Sequence, residues 1–140
     1  NLMHQLFHKI SIKTKGQDLY NFTPQIVNWV DDEKLNNGIL NINILHTSAS
    51  LMIQENADPD VLKDMKNFFD KLVPMNNSYI HSTEGKDDMP AHIKASLTNN
   101  QISLSIKNGE LLLGMWQGIY LFEHRLNSQS RTIVHHYLGT

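Results

Sequence analysis

No cysteine occurs among the 140 residues of this chain. That excludes a disulfide scaffold, a Cys-ligated zinc finger, an iron–sulfur cluster and a thiol nucleophile, and it makes a cytoplasmic location the expectation. No charge of one sign dominates either, since 12 Lys+Arg stand against 14 Asp+Glu for a formal net charge of −2. Such a chain lacks the global electrostatic footprint that nucleic acid or an anionic membrane attracts, so neither is an expected partner. Long apolar runs are missing as well. Gly38–Leu45 is broken by Asn41 and Asn43, and Leu111–Trp116 is six residues, far short of the ~20 needed to cross a bilayer. No basic–apolar–small leader opens the sequence. No repeat, low-complexity tract or linker divides it. With 40% hydrophobic residues, a single domain over residues 1–140 with a real core is expected.

What the chain has in excess is histidine: eight, with no tag-like run. Histidine is the commonest metal ligand and the usual acid–base group near neutral pH, so the functional reading turns on where the eight sit.

The pattern is mixed. Leu6, His8, Ile10 and Ile12 alternate with polar or exposed positions, a strand period. Thr23-Pro24 reads as an N-cap and first helical residue, followed by Ile26, Val27 and Val30 on one face. Ile39–Leu45 and Leu51–Glu55 read as strands. Asp58-Pro59 repeats the cap-plus-proline signal. Val61, Leu62, Met65, Phe68, Phe69 and Leu72 then form an amphipathic stripe that stops near Pro74. Residues 75–92 read as a long polar loop, with a short helix over Met89–Leu97. Ile102, Leu104 and Ile106 alternate, Asn108-Gly109 predicts a hairpin turn, and Gly118–Glu123 and Arg131–Leu138 complete a β-rich half. The order predicts an α+β fold, an antiparallel β-sandwich-like core with two main helices.

The histidines divide into groups. His46 ends a buried strand and opens His46-Thr47-Ser48-Ala49-Ser50, where small hydroxyl residues leave backbone amides open to an anion. A strand-end histidine bound to a backbone carbonyl explains that stretch equally simply. His81 and His92 bracket Glu84, Asp87 and Asp88, two histidines and three carboxylates within twelve residues. That is a ligand or acid–base set, or a solvated acidic loop. His124, between Glu123 and Arg125 at a strand end, reads as a site member or as the start of a surface turn. His4 and His8 read as surface or strand residues. His135 and His136 are adjacent in a strand, face opposite ways and cannot chelate one ion together. The six methionines form no single stripe. Gly114 and Gly118 around Trp116-Gln117 suggest a bulge, with Gln117 facing a ligand or capping an edge.

Several of these stretches, taken in order, resemble the YjbQ-like family, whose members are described as secondary thiamine-phosphate synthases. The likeness rests on His46–Ser50, Glu55-Asn56-Ala57-Asp58-Pro59-Asp60-Val61, Tyr79-x-His81 with Glu84-Gly85, Met89–Leu97, and Leu113-Gly114-Met115-Trp116-Gln117-Gly118-Ile119. The resemblance implies a β-sandwich fold, a homotrimer with sites near subunit boundaries, and a metal or anion site on His46, His81 and His92. It implies a transferase that joins hydroxymethylpyrimidine diphosphate to a thiazole phosphate and releases pyrophosphate. In that reading a divalent ion, zinc first and magnesium, iron or nickel as alternatives, neutralises the leaving diphosphate. Glu84 is the candidate general base, Asp87 its companion, and Thr47, Ser48, Asn56, Lys94 and Gln117 the substrate contacts. The alternative expectation is a non-catalytic trimer that binds a phosphorylated or anionic metabolite.

Overall fold

The computed structural model describes residues 2–140. Its elements run β1 (His4–Thr14), β2 (Asp18–Asn21), α1 (Thr23–Asp32), β3 (Gly38–Ile44), β4 (Ala49–Glu55), α2 (Pro59–Leu72), α3 (Asp88–Leu97), β5 (Gln101–Lys107), β6 (Glu110–Leu111), β7 (Gln117–Glu123) and β8 (Gln129–Gly139). Two antiparallel sheets form, one in the order β1-β8-β3-β5-β6 and one in the order β2-β7-β4. The α+β expectation holds, with three helices rather than two main ones because Asp88–Leu97 is a full helix.

The alternation in β1 and β8 decides which face is inside. Ile133, Tyr137 and His135 are buried on β8, while Thr132, Val134, His136 and Leu138 take the other face. Leu40, Ile42 and Ile44 of β3 join Ala49 and Leu51 of β4, and Ile119 and Leu121 of β7, in the main core between the sheets. Phe22, Ile26, Trp29 and Val30 close it from α1. β7 is buried continuously from Gly118 to Glu123 because both its faces are covered. Tyr120 and Phe122 pack on the far side with Leu19 of β2, against Leu62 and Phe69 of α2. Burial of this apolar surface, at roughly 25 cal/mol per Å², is the main force holding the layers together.

Three local readings change. Thr23 is not the N-cap of α1; Phe22 holds that place. The Thr23 hydroxyl instead bonds Asn21 Oδ1 at 2.7 Å and accepts the Ile119 amide at 2.8 Å, tying the helix start to β7. Val27 is exposed, and Trp29 takes its place on the buried face. The stripe on α2 is only half used: Leu62 and Phe69 meet the sheet, whereas Phe68 and Leu72 remain exposed. Other readings hold. Asp58 Oδ1 accepts the Asp60 amide at 2.9 Å as the α2 cap. Asn108 and Gly109, at φ 52° and 79°, make the hairpin turn that requires positive φ at both positions. Among the described residues no helix is long and apolar enough to cross a membrane.

Candidate metal centre

The carboxylate of Asp88 lies between two imidazoles. Its Oδ2 is 2.6 Å from His81 Nε2 and 3.1 Å from His92 Nε2. One donor atom from each of the three residues lies within 4.8 Å of the other two, a spacing one ion can satisfy. Asp88 is the first residue of α3 and His92 comes one turn later, so helical geometry puts both on one face. His81 arrives from the loop before the helix. Asp88 is buried, and the two imidazoles are partly open to solvent.

Each buried or partly buried member is held from behind. His92 Nδ1 donates to the Thr47 carbonyl at 2.9 Å, so Nδ1 carries a proton and Nε2 turns toward Asp88. Arg125, just beyond β7, donates from Nη1 to Asp88 Oδ1 at 2.7 Å, from Nε to Asp87 Oδ2 at 2.9 Å and from Nη2 to the Glu84 carbonyl at 2.9 Å. One guanidinium thus ties the loop to the start of the helix and leaves Asp88 Oδ2 facing the imidazoles. Burial alone would push the Asp88 carboxyl up. The His81 and Glu84 side chains and the charges of Arg125 and His92 outweigh it and hold the carboxyl below its ordinary value. Gly85, at φ 108°, makes the turn into this arrangement, and a Cβ there would stand 3.0 Å from Asp87 Oδ1. Beside His81 and Met89 opens a cavity of about 620 Å³, lined otherwise by residues 78–80, 82 and 83.

The structure brings together two of the three histidines expected as ligands and puts Asp88 where His46 was expected. His46 Nε2 accepts the Thr132 amide at 2.8 Å. The ring continues the β3–β8 ladder past Ile44, taking the role of a backbone acceptor, so that nitrogen is unavailable to an ion. Asp87 is no free base. Burial would raise its carboxyl, but the Leu126 amide and Arg125 hold it below the usual range, and its Oδ2 accepts from both. Glu84 stays exposed, its carbonyl bound to Arg125.

The expected substrate contacts are mostly engaged elsewhere. Lys94 is buried, with Nζ 2.6 Å from Asp70 Oδ1. The Ser48 hydroxyl and carbonyl accept from Arg131. Asn56 Nδ2 donates to the Met115 and Gln117 carbonyls, and Gln117 Oε1 accepts the Gly114 amide, so these two clamp the turn before β7. Thr47 alone of that group adjoins the centre, through its carbonyl. His124 is buried with Nε2 2.8 Å from Ser50 Oγ, a bond inside the fold. Asp88 stood in the ligand or acid–base set read between His81 and His92 without being singled out as a metal ligand, and Arg125 was not among the expected site residues. The Asp88/His92 spacing of four was the legible signal for the first.

A family model described as UPF0047 protein YjbQ-like matches residues 8–140. The chain is 48% identical over 129 residues to UPF0047 protein sll1880 of Synechocystis sp., covering 91% of this chain and 88% of that protein. It is 41% identical over 126 residues to UPF0047 protein YjbQ of Escherichia coli O157:H7, covering 89% and 91%. Among solved structures it is similar to an uncharacterized conserved protein of the YjbQ/UPF0047 family from Clostridium acetobutylicum, at TM-score 0.83 and 37% identity over 91% of this chain and 97% of that one. A YbjQ-like protein of unknown function from Sulfolobus solfataricus shares the fold at TM-score 0.91 and 23% identity, over 99% and 100%. This chain belongs to the YjbQ-like UPF0047 family.

Proposed function

We propose that this protein is a metal-dependent enzyme acting on a small phosphorylated substrate, with one divalent transition-metal ion held by His81, Asp88 and His92. The observation that carries the reading is the convergence of these three donor atoms within 4.8 Å. The donor set fits such an ion. The Thr47 carbonyl holds the Nδ1 proton of His92, so Nε2 is the nitrogen that would meet an ion. His81, Asp88 and His92 would bind an ion in their deprotonated forms, so uptake should release protons. Two imidazoles and one carboxylate suit zinc or iron better than magnesium, which prefers oxygen ligands.

In the finer form that the family resemblance suggests, the reaction is a thiamine-phosphate synthase-like transfer with pyrophosphate as leaving group. A bound divalent ion supplies charge neutralisation for such a group. The protein's part is orientation: Thr47 aims His92, Arg125 aims Asp88, and the exposed Glu84 carboxylate is the candidate base. A homotrimer belongs to the same proposal. It would cover exposed apolar side chains such as Ile80, Leu112, Met115 and Trp116. One observation favours the alternative of a non-catalytic metabolite-binding protein: Asp87, the buried carboxylate next to Asp88 in the chain, is committed to Arg125. A binder would show no turnover, yet its unfolding would shift with ligand concentration.

Metal content decides first. Wild type loaded with zinc or ferrous ion and then desalted should hold about one ion per chain by elemental mass spectrometry, the occupancy of a three-ligand site. Asp88→Ala and His92→Ala should lose it while retaining the native circular dichroism spectrum. Metal-free wild type after loading would end the proposal.

A further inference from the structure

His46 is a histidine whose tautomer the fold dictates. Because Nε2 accepts the Thr132 amide, the neutral ring must carry its proton on Nδ1. Burial first, and then the charge of Arg131, disfavour protonating it further. Nδ1–H of this half-buried ring has no protein partner among the described residues, so it is a donor of fixed position open to a ligand. The ring lines a small cavity of about 130 Å³ together with Thr47, Ala49, Ala95, Ser96 and Asn100. Thr47 and Asn100 are exposed, and their side chains likewise have no protein hydrogen-bond partner among the described residues. No carboxylate lines the space.

The cavity adjoins the metal centre through two of its walls. Thr47 lends its carbonyl to His92, and the Ser96 hydroxyl bonds the His92 carbonyl at 2.9 Å. Ala95 and Ser96 belong to the last turn of α3, whose carbonyl end disfavours negative charge. Arg131 opposes that: at His46 its charge outweighs that of its partner Glu123. Donors that face an open cavity without protein acceptors are the usual means of fixing an oxyanion.

We propose that His46, Thr47 and Asn100 form an oxyanion subsite beside the metal centre, with His46 acting as a hydrogen-bond donor through Nδ1 and not as a metal ligand. The inference deepens the proposed function. The ligand class is a small oxyanion, the phosphoryl or carboxylate end of a substrate whose other end reaches the centre.

Amide side chains separate the two roles of the imidazole. In His46→Gln the amide reaches the Nε2 position and can still accept the Thr132 amide, but no donor remains at the Nδ1 position. In His46→Asn the amide sits at the Nδ1 position and keeps the donor. Inorganic phosphate and formate would be titrated calorimetrically into the full chain, metal-loaded and metal-free, with metal content measured beside each variant. Phosphate or formate should bind wild type. His46→Gln should weaken it by about tenfold or more, the loss expected for one hydrogen bond to a charged group. His46→Asn should weaken it far less, and both variants should keep wild-type metal content. Thr47→Val, which leaves the carbonyl to His92 in place, should weaken binding severalfold and serves if His46→Gln does not fold. The subsite is wrong if wild type binds neither anion, if His46→Gln or a folded Thr47→Val binds as wild type does, or if His46→Gln sheds the metal. Wild type that stays metal-free after loading yet binds phosphate in a His46-dependent way would sink the metal proposal and leave the subsite standing.

Discussion

Glu123→Ala is expected to cost about 3–5 kcal/mol of stability, the range for removing one partner of a buried ion pair. Glu123 is completely buried and Arg131 nearly so. Arg131 donates from Nε to Oε1 at 2.7 Å and from Nη2 to Oε2, the two-pronged geometry that suits guanidinium and carboxylate. Thr14 Oγ1 adds a bond to Oε1 at 2.8 Å, and the amides of His124 and Arg125 both donate to Oε2 at 3.1 Å. Truncation strands a guanidinium, a hydroxyl and two amides where water does not reach. Typical domains have only ~5–15 kcal/mol in total, so this one change takes a large share.

The consequences would reach the site as well. Arg131 holds Ser48, next to His46 and Thr47, and Glu123 holds the amide of Arg125. The double variant Glu123→Leu/Arg131→Met should recover much of the loss, since an apolar pair of similar volume needs no compensating charge. Guanidinium unfolding would measure both. A loss under about 1 kcal/mol for Glu123→Ala, the worth of an exposed pair, would refute the argument.

Acid should unfold this protein from near neutrality downward. Burial, and then His8, push the His135 pKa down to about 4. Burial, then Lys94 and then Arg131, push His124 down to about 3. His135 faces His8 on β1 and Trp29 on α1, with neither ring nitrogen bonded. His124 bonds Ser50 of β4 and packs on Phe122 of β7, with Nδ1 unbonded.

The unfolded chain binds protons on these two rings below about 6.5, the free histidine value, and the native chain does not until far lower. Native stability is therefore complete above that value and falls with pH at about 1.4 kcal/mol per unit for each ring. By pH 4–5 the combined loss should be on the order of several kcal/mol. Asp87 and Asp88 act in the same direction further down, since carboxyls held below their ordinary values stabilise above about pH 4 and lose that contribution as they protonate. Denaturant midpoints between pH 8 and 4.5 test this. His135→Phe should flatten the dependence and leave the neutral-pH midpoint intact or higher. A flat profile in wild type, or an unchanged slope in His135→Phe, would count against it.

Local pattern made much of the fold readable. The alternation in residues 4–14, the cap-plus-proline at Asp58-Pro59 and the Asn108-Gly109 turn each depend on a few neighbouring residues, and each appears as read. Readings that needed a distant partner went differently. Thr23 looked like a cap because nothing nearby showed that the Ile119 amide, 96 positions away, would claim its hydroxyl. Lys94 looked like a phosphate contact because Asp70 and the burial of that face of α3 could not be seen. The polar tract before α3 shows its histidines and carboxylates in the sequence because they lie close along the chain, and the structure brings His81, Asp88 and His92 of that tract together.

The sequence by itself determined the family and the α+β class, and it put His81 and His92 close to three carboxylates, because those signals lie in contiguous motifs and short periods. Only the tertiary structure decided that Asp88 bonds both imidazoles, that Arg125 from beyond the end of β7 holds it, and that the His46 ring bonds the Thr132 amide. Each of those outcomes depends on hydrogen bonds between elements remote in the chain. Such bonds form only when the two sheets and α3 pack, and packing is set by the sum of buried apolar surface rather than by the polar residues that it brings together.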